Sequence, residues 1–206
     1  IQNQNSAIVL KSINKSPEEL IMPQERVRKI VVAGVMGAVS ILLGVTHWGF
    51  IPWFGGVSLT IMHVPVIIAA VLEGPLVGAG VGLIFGVFSM LQAAVAPTGP
   101  ADVWFTNPLL AVAPRLFIGP AAHLVWQALA RWPAVGLPAA GVVGSLTNSA
   151  LVLWVIGMLG YLPLAALPPI LLLNGVPEAL VSAVLVLAVV AAWKQLRVGK
   201  KQGADL

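Results

Sequence analysis

Arg115 is the residue whose type and position most clearly suggest chemistry. Of the eleven Lys and Arg residues in the chain, ten lie in tails or one short loop, whereas Arg115 lies inside an apolar stretch. A charged side chain at the centre of a membrane costs about 2.5 to 3.5 kcal/mol on insertion scales. We therefore expect Arg115 to face a protein interior, a polar cavity or a ligand.

Other polar side chains are predicted at the same depth as Arg115, in the outer half of the membrane. Asn174 and Glu178 are four residues apart, so a helix would place them on one face. An Arg115 to Glu178 ion pair that only holds helices together is the structural alternative. The predicted substrate-binding residues are Arg115, His63, Asn148, Asn174, Glu178, Gln92 and Trp53.

Aromatic residues are frequent in the predicted outer loops, which contain Trp48, Trp53, Trp104, Phe105 and Tyr161. Trp and Tyr are enriched at membrane interfaces, so these residues suit an aromatic belt. The alternative is a wall on which a ligand stacks. The sequence alone leaves both interpretations open.

The sequence contains no recognisable catalytic or metal site. It has no Cys, no His-Glu-x-x-His pair and no carboxylate cluster, so we predict no metal. Gly144-Ser145 lacks a His on a plausible partner helix at that depth to serve as a base for a serine nucleophile. A Gly-x-x-x-x-Gly-Lys loop for ATP is also absent. We predict that the chain is not an enzyme and holds no cofactor.

The composition predicts which elements position these residues. The chain is 59% hydrophobic and 9% charged, and its mean hydropathy is +0.98, which indicates an integral membrane protein. A backbone in lipid must satisfy its own hydrogen bonds, and no strand-like alternation recurs, so we predict an all-α bundle. Six hydrophobic segments cover residues 28–46, 59–73, 76–95, 107–130, 137–160 and 167–193. The second is short for a bilayer that needs about 20 helical residues.

The distribution of charge predicts the orientation. With the N-terminus inside, the outer loops 47–58, 96–106 and 160–167 receive no Lys or Arg, as the positive-inside rule requires. We therefore predict six transmembrane helices with both termini cytoplasmic. A polar tail covers 1–24, the membrane domain 25–197, and a basic and polar tail 198–206. The basic residues flank helices, so anionic lipid headgroups suit them better than nucleic acid.

Small residues form a second pattern in two of the predicted helices. The first span contains Ala33, Gly34, Gly37 and Ala38, and the third contains Gly78, Gly82 and Gly86 at four-residue spacing. Such spacing lets helices approach closely. We predict internal packing for the third span. For the first span, docking on a partner protein and internal packing are equally supported.

The chain resembles the substrate-binding S component of energy-coupling factor (ECF) vitamin transporters over residues 28–195. The resemblance rests on the ordered motifs Ala33-Gly34-Val35-Met36-Gly37-Ala38, Ile61-Met62-His63-Val64-Pro65-Val66-Ile67-Ile68, Leu72-Glu73-Gly74-Pro75-Leu76-Val77-Gly78-Ala79, Asn107-Pro108-Leu109 and Pro114-Arg115-Leu116-Phe117-Ile118-Gly119.

The resemblance implies a multi-pass subunit of a prokaryotic plasma membrane that binds a water-soluble vitamin at its outer end with high affinity. It would hydrolyse no ATP itself and would dock on a membrane coupling subunit carrying two ATP-binding subunits, as part of an ABC-type importer. In the family the small face of span one is the dock, which corresponds here to Ala33 and Gly37. The loop from Trp48 to Ser58 would act as a lid, and the whole subunit would topple in the membrane to carry its substrate inward.

The His-Val-Pro-Val-Ile run is most similar to the pantothenate-type branch, and an Arg in an outward pocket suits a carboxylate. Folate also has carboxylates, and its pterin would stack on the Trp-rich loop. Riboflavin has no carboxylate and explains Arg115 less well. A self-sufficient channel or small secondary transporter would use Arg115 and Glu178 as a relay instead. A structural membrane protein without a ligand is the remaining class.

Overall fold

The helices follow the hydrophobic segments of the sequence. The structure, a computed structural model, describes residues 17–52, 58–97 and 99–194. Its α-helices are α1 (Pro17–Val45), α2 (Val64–Glu73), α3 (Pro75–Val95), α4 (Pro108–Ala111), α5 (Ala113–Ala128), α6 (Pro133–Met158), α7 (Leu167–Ile170) and α8 (Val176–Trp193). Short 3₁₀ turns at Asp102–Thr106 and Leu164–Ala166 precede α4 and α7, and a π-helical turn, Leu171–Gly175, joins α7 to α8.

Within the described residues, five stretches are long and apolar enough to cross a membrane, which confirms the all-α membrane bundle. They are Gln24–Val45, Pro75–Val95, Pro108–Ala128, Pro133–Met158 and Leu164–Trp193. Helix α2 is apolar but has only ten residues. At about 1.5 Å per residue it covers roughly half of a hydrocarbon core of about 30 Å. The count of six transmembrane helices and the cytoplasmic termini stay predictions.

Helix α2 forms the centre of the bundle. A proline in its first turn, Pro65, favours its start after His63, and Gly74 ends it with a φ of 100°, a backbone conformation that favours glycine. Residues 64–71 are all buried. The helix contacts α1, α3, α5, α6 and α8. Helix α2, which is too short to span the membrane, is therefore the core of the bundle.

A small β-hairpin connects α1 to α2, where the sequence predicted no strand. Strand β1 (Phe50–Pro52) pairs antiparallel with β2 (Ser58–Thr60), and Phe50 lies opposite Thr60. Strands of three residues are too short to produce a recognisable alternation of polar and apolar residues. Helix α1 begins at Pro17, within the predicted polar tail 1–24, and the bounds of that tail stay a prediction.

The small residues of α1 do not all face one way. Gly37 is buried, and a Cβ added there would lie 2.9 Å from Cδ1 of Ile84 on α3, while Ala33 is half-buried against the core. Gly34 and Ala38 are exposed, and an added Cβ at Gly34 would meet no atom within 4 Å. The predicted docking pair, Ala33 and Gly37, thus faces the bundle, and the small residues free for a partner are Gly34 and Ala38.

The glycines of α3 pack inside the bundle, as predicted. A Cβ added at Gly78 would lie 2.9 Å from Cα of Gly119, and one at Gly86 would lie 2.7 Å from the carbonyl oxygen of Ala111. A Cβ at Gly82 would collide with the carbonyl oxygen of Arg115. Helix α3 therefore lies in backbone contact with α4 and α5, and this contact fixes the position of Arg115.

Two polar contacts join the C-terminal end of α2 to neighbouring helices. Arg28 at the start of the first apolar span pairs with Glu73 at the end of α2, with an Nη2 to Oε2 distance of 3.1 Å. His123 on α5 bonds the carbonyl oxygen of Ala70 through Nδ1 at 2.8 Å. His123 therefore joins α5 to α2.

Candidate functional site

The local sequence brings Arg115 into the bundle just after a break in the helix. Asn107 caps α4, since its side-chain oxygen accepts a hydrogen bond from the Leu109 N–H at 2.9 Å. Helix α4 ends at Ala111, and α5 begins two residues later with Pro114 in its first turn. Arg115 is only 5% exposed. The interruption leaves the carbonyl oxygen of Leu110 free to meet the side chain of Arg115.

The Arg115 guanidinium has one protein acceptor and two aromatic neighbours. Its Nη1 donates to the carbonyl oxygen of Leu110 at 2.6 Å. Its central carbon lies 5.4 Å from the ring centroid of Phe85 and 5.0 Å from that of Phe105, within the range of cation–π attraction. The Nε–H is buried without a partner. The remaining donors form the planar fork that pairs with a carboxylate in a bidentate manner.

The Glu178 carboxylate is held by three protein donors. Oε1 accepts from the Thr60 N–H at 2.7 Å and from the Thr60 hydroxyl at 3.1 Å. Oε2 accepts from the Ser149 hydroxyl at 3.1 Å. Within the described chain no ion pair joins Glu178 to Arg115. The ion pair offered above as the structural explanation of Arg115 is therefore not formed.

His63 is a further buried polar residue, and it contacts the helix that carries Glu178. Its ring is fully buried, and Nε2 lies 2.8 Å from the hydroxyl of Ser182, one helical turn after Glu178. Nδ1 has no hydrogen-bond partner among the described residues. Buried polar side chains on α5, directly before α2 and on α8 thus form the candidate site.

Helix α6 adds two buried polar side chains. Asn148 is 6% exposed and Ser145 fully buried, and both the Asn148 Oδ1 and the Ser145 Oγ lack a partner. Three residues apart, they lie near the same face of the helix. An unpaired buried polar atom costs about 1 to 3 kcal/mol. Among the described residues such atoms belong to four side chains, two on α6 and those of Arg115 and His63. Each of these atoms could form a hydrogen bond with a polar ligand.

Of the other predicted site residues, the structure describes Gln92 and Asn174. Gln92 is half-buried on α3, two turns after Phe85 and so near the same face. Asn174 is half-buried in the π-helical turn, which disturbs the α-helical register that would align it with Glu178. Trp53 lies outside the described residues. No group of three His, Asp or Glu residues able to hold a metal occurs in the described ranges.

The aromatic residues of the predicted outer loops that the structure describes lie in three environments. Trp104 stacks on Tyr161, with ring centroids 5.4 Å apart and an interplanar angle of 15°, whereas Trp48 is 81% exposed. Phe105 faces the guanidinium of Arg115. One aromatic residue of this group therefore belongs to the site, and two stack on each other.

Sequence reasoning missed several residues of the site. Phe85 contacts Arg115, Thr60 and Ser149 bond the Glu178 carboxylate, and Ser182 bonds His63. Two of them could have been identified from the sequence. Ser149 follows Asn148, and Ser182 lies four residues after Glu178, each in an otherwise apolar helix. Nothing in the local sequence of Thr60 marks it, since its partner is 118 residues away.

Comparison with known proteins places the chain among membrane transporters. The sequence model of the family described as "ECF transporter, substrate-specific component" matches residues 28–190. The pantothenic acid transporter PanT of Lactococcus lactis subsp. cremoris is 25% identical over 200 residues, covering 85% of this chain and 98% of that protein. The pantothenate transporter PanT of Leuconostoc mesenteroides subsp. mesenteroides is 29% identical over 115 residues, covering 54% of this chain and 55% of that protein.

Proposed function

The chain belongs to the substrate-specific components of ECF transporters, and on that premise we propose that it binds pantothenate for import driven by ATP-hydrolysing partner subunits. It is a multi-pass protein of the plasma membrane and a transport protein, not an enzyme. The proposal concerns the substrate, the residues that bind it and the partners.

The observation that carries the proposal is a buried cation without an anionic partner. Arg115 is 5% exposed, and no carboxylate of the described chain pairs with it. A buried charge is costly unless it is paired and hydrogen-bonded. Because Nε–H and the remaining Nη–H groups are arranged for a planar acceptor, a ligand carboxylate is the group that suits Arg115 best.

The rest of the site favours a ligand without a positive charge. Glu178 is already bound by Thr60 and Ser149, so it offers little to a ligand amine. Asn148 Oδ1 and Ser145 Oγ are neutral groups for hydroxyls and amides. Pantothenate carries one carboxylate together with an amide and hydroxyls, which matches this distribution. The names of the two relatives point the same way.

Riboflavin and folate are less favoured, for different reasons. Riboflavin lacks the carboxylate that Arg115 requires. Folate has carboxylates, but the names of the two relatives point to pantothenate.

We propose that the exposed small residues Gly34 and Ala38 dock on a membrane coupling subunit that carries two ATP-binding subunits. They let a partner helix approach the backbone of α1 closely. ATP would be bound and hydrolysed by those partners, and this chain would hold no cofactor of its own.

The test compares pantothenate with pantothenol, which has an alcohol in place of the carboxylate. Isothermal titration of the purified chain should show much weaker binding of pantothenol. Arg115→Met should weaken pantothenate binding about 10- to 150-fold, as expected for a hydrogen bond to a charged group, and should abolish the discrimination between the two ligands. Arg131→Gln, a change at an exposed loop residue, is the matched control and should bind like the unaltered chain.

Two results would overturn the proposal. The first is the absence of pantothenate binding, which thermal stabilisation also detects, since a ligand at a thousandfold excess over Kd stabilises by about 4 kcal/mol. The second is pantothenate flux into liposomes that contain this chain alone. Such flux would indicate a self-sufficient transporter.

A further inference from the structure

We propose that Glu178 is a positioning residue, which holds strand β2 against α8 and so places His63 in the binding site, and that it does not itself contact the vitamin. The proposal rests on the proposed function for the identity of the ligand. The hydrogen bonds that carry it are independent of that function.

The contacts of Glu178 join three separate parts of the chain. The carboxylate projects from α8, accepts two hydrogen bonds from Thr60 on β2, and accepts a third from Ser149 on α6. The Thr60 N–H bond, at 2.7 Å, is the shortest of the three. A hydrogen bond to a charged acceptor is roughly twice as strong as a neutral one. Glu178 therefore holds the hairpin, α6 and α8 together at one point.

The carboxylate has little capacity left for a ligand. Two carboxylate oxygens offer about four lone-pair sites, and three protein donors already occupy Oε1 and Oε2. The side chain is 6% exposed. Arg115, by contrast, keeps a buried Nε–H without a partner. The site therefore divides into groups available to a ligand and a carboxylate used by the protein.

The position of β2 determines the position of His63. Thr60 is the last residue of β2 and lies three residues before His63. Ser182, the partner of the His63 ring, lies one turn after Glu178 on α8. Two side chains of α8 thus bind two points of one short segment. If the contact at Thr60 is lost, the bond between Ser182 and His63 is the one of these two contacts that still holds the segment to α8.

Two substitutions of Glu178 distinguish a positioning role from a role for the charge. Glu178→Gln keeps an oxygen for Thr60, so the pantothenate dissociation rate should rise by at most about fivefold. Glu178→Leu removes every acceptor and should raise the rate by about 10- to 150-fold. If Glu178→Gln is as damaging as Glu178→Leu, the charge itself is needed and the proposal is wrong.

The partner residues provide a test that does not depend on how Glu178→Leu folds. Thr60→Val and Ser149→Ala each remove a hydroxyl donor with little change of volume, and each should raise the dissociation rate. Neither should raise it further in the Glu178→Leu background, because the acceptor is already absent. Direct contact between Glu178 and the vitamin predicts instead that the partner substitutions have no effect.

A measurement without ligand separates this proposal from the proposed function. Hydrogen exchange at the Thr60 amide should be faster in Glu178→Leu than in the unaltered chain, whether or not pantothenate binds. Glu73→Gln, at the opposite end of the bundle, is the matched control and should leave both this exchange and pantothenate dissociation unchanged. Unchanged Thr60 exchange in Glu178→Leu would overturn the positioning role, whereas failure of pantothenate to bind the unaltered chain would overturn only the choice of ligand.

Discussion

Replacing Gly82 by alanine should damage the binding site through the backbone. A Cβ added at Gly82 would collide with the carbonyl oxygen of Arg115. A flexible side chain could rotate out of the way, but a carbonyl oxygen within α5 cannot. Helices α3 and α5 would have to move apart, and Arg115 would move with α5.

The expected size of this effect follows from the cost of overpacking. Inserting a methyl group into a well-packed interior typically costs about 1 to 3 kcal/mol. For a protein of about this length, 1 kcal/mol lowers Tm by roughly 2 to 4 °C. We therefore expect Tm to fall by about 2 to 12 °C in Gly82→Ala, with weaker pantothenate binding because the guanidinium is displaced from Phe85.

Gly80→Ala is the matched control, since Gly80 is exposed on the same helix and an added Cβ would meet no atom within 4 Å. Because alanine has a higher helix propensity than glycine, Gly80→Ala should be as stable as the unaltered chain, or more stable by up to about 1 kcal/mol. Thermal unfolding in detergent, followed by tryptophan fluorescence, and isothermal titration of pantothenate measure both effects. If Gly82→Ala unfolds and binds like Gly80→Ala, α3 and α5 are not in backbone contact and the reasoning is refuted.

Three further predictions concern separate parts of the molecule. Phe105→Leu removes one cation–π contact of Arg115 and should weaken pantothenate binding by about 0.5 to 2 kcal/mol in titration; unchanged affinity would contradict it. Arg28→Gln breaks the pair with Glu73, but because the Arg28 side chain is 64% exposed, chemical unfolding should show a loss of no more than about 1 kcal/mol, smaller still at high salt. Gly34→Leu should leave pantothenate binding intact and abolish co-purification with the coupling subunit; continued assembly would show that this face of α1 is not the dock.

The sequence predicts the burial of the site better than the direction in which individual residues face. Burial of Arg115 and internal packing of the α3 glycines both follow from what a membrane tolerates, namely few unpaired charges and close helix contacts through small residues. The direction in which Gly37 faces does not follow from these constraints. Lipid and protein interior are equally apolar, so a helix such as α1 shows little contrast between its two sides.

The partners of Glu178 could not be predicted for a different reason. The carboxylate pairs with Thr60 across 118 positions of sequence, and Thr60 belongs to a strand of three residues. Neither periodicity nor composition identifies so short an element. The charged residues of the site can be predicted from the sequence. The neutral donors that determine their roles can be identified only in the folded structure.

The glycine contacts of α3 have a consequence for the order of events in binding. Arg115 belongs to a part of the site that is built on backbone contact and cannot change shape without separating two helices. The ring of His63, by contrast, is bound to α8 by a side-chain hydrogen bond with Ser182, which can rearrange at lower cost. A vitamin should therefore meet its carboxylate partner already in place and its neutral partners afterwards. The association rate and the dissociation rate of the vitamin then depend on different helices, and each rate can change in evolution without the other.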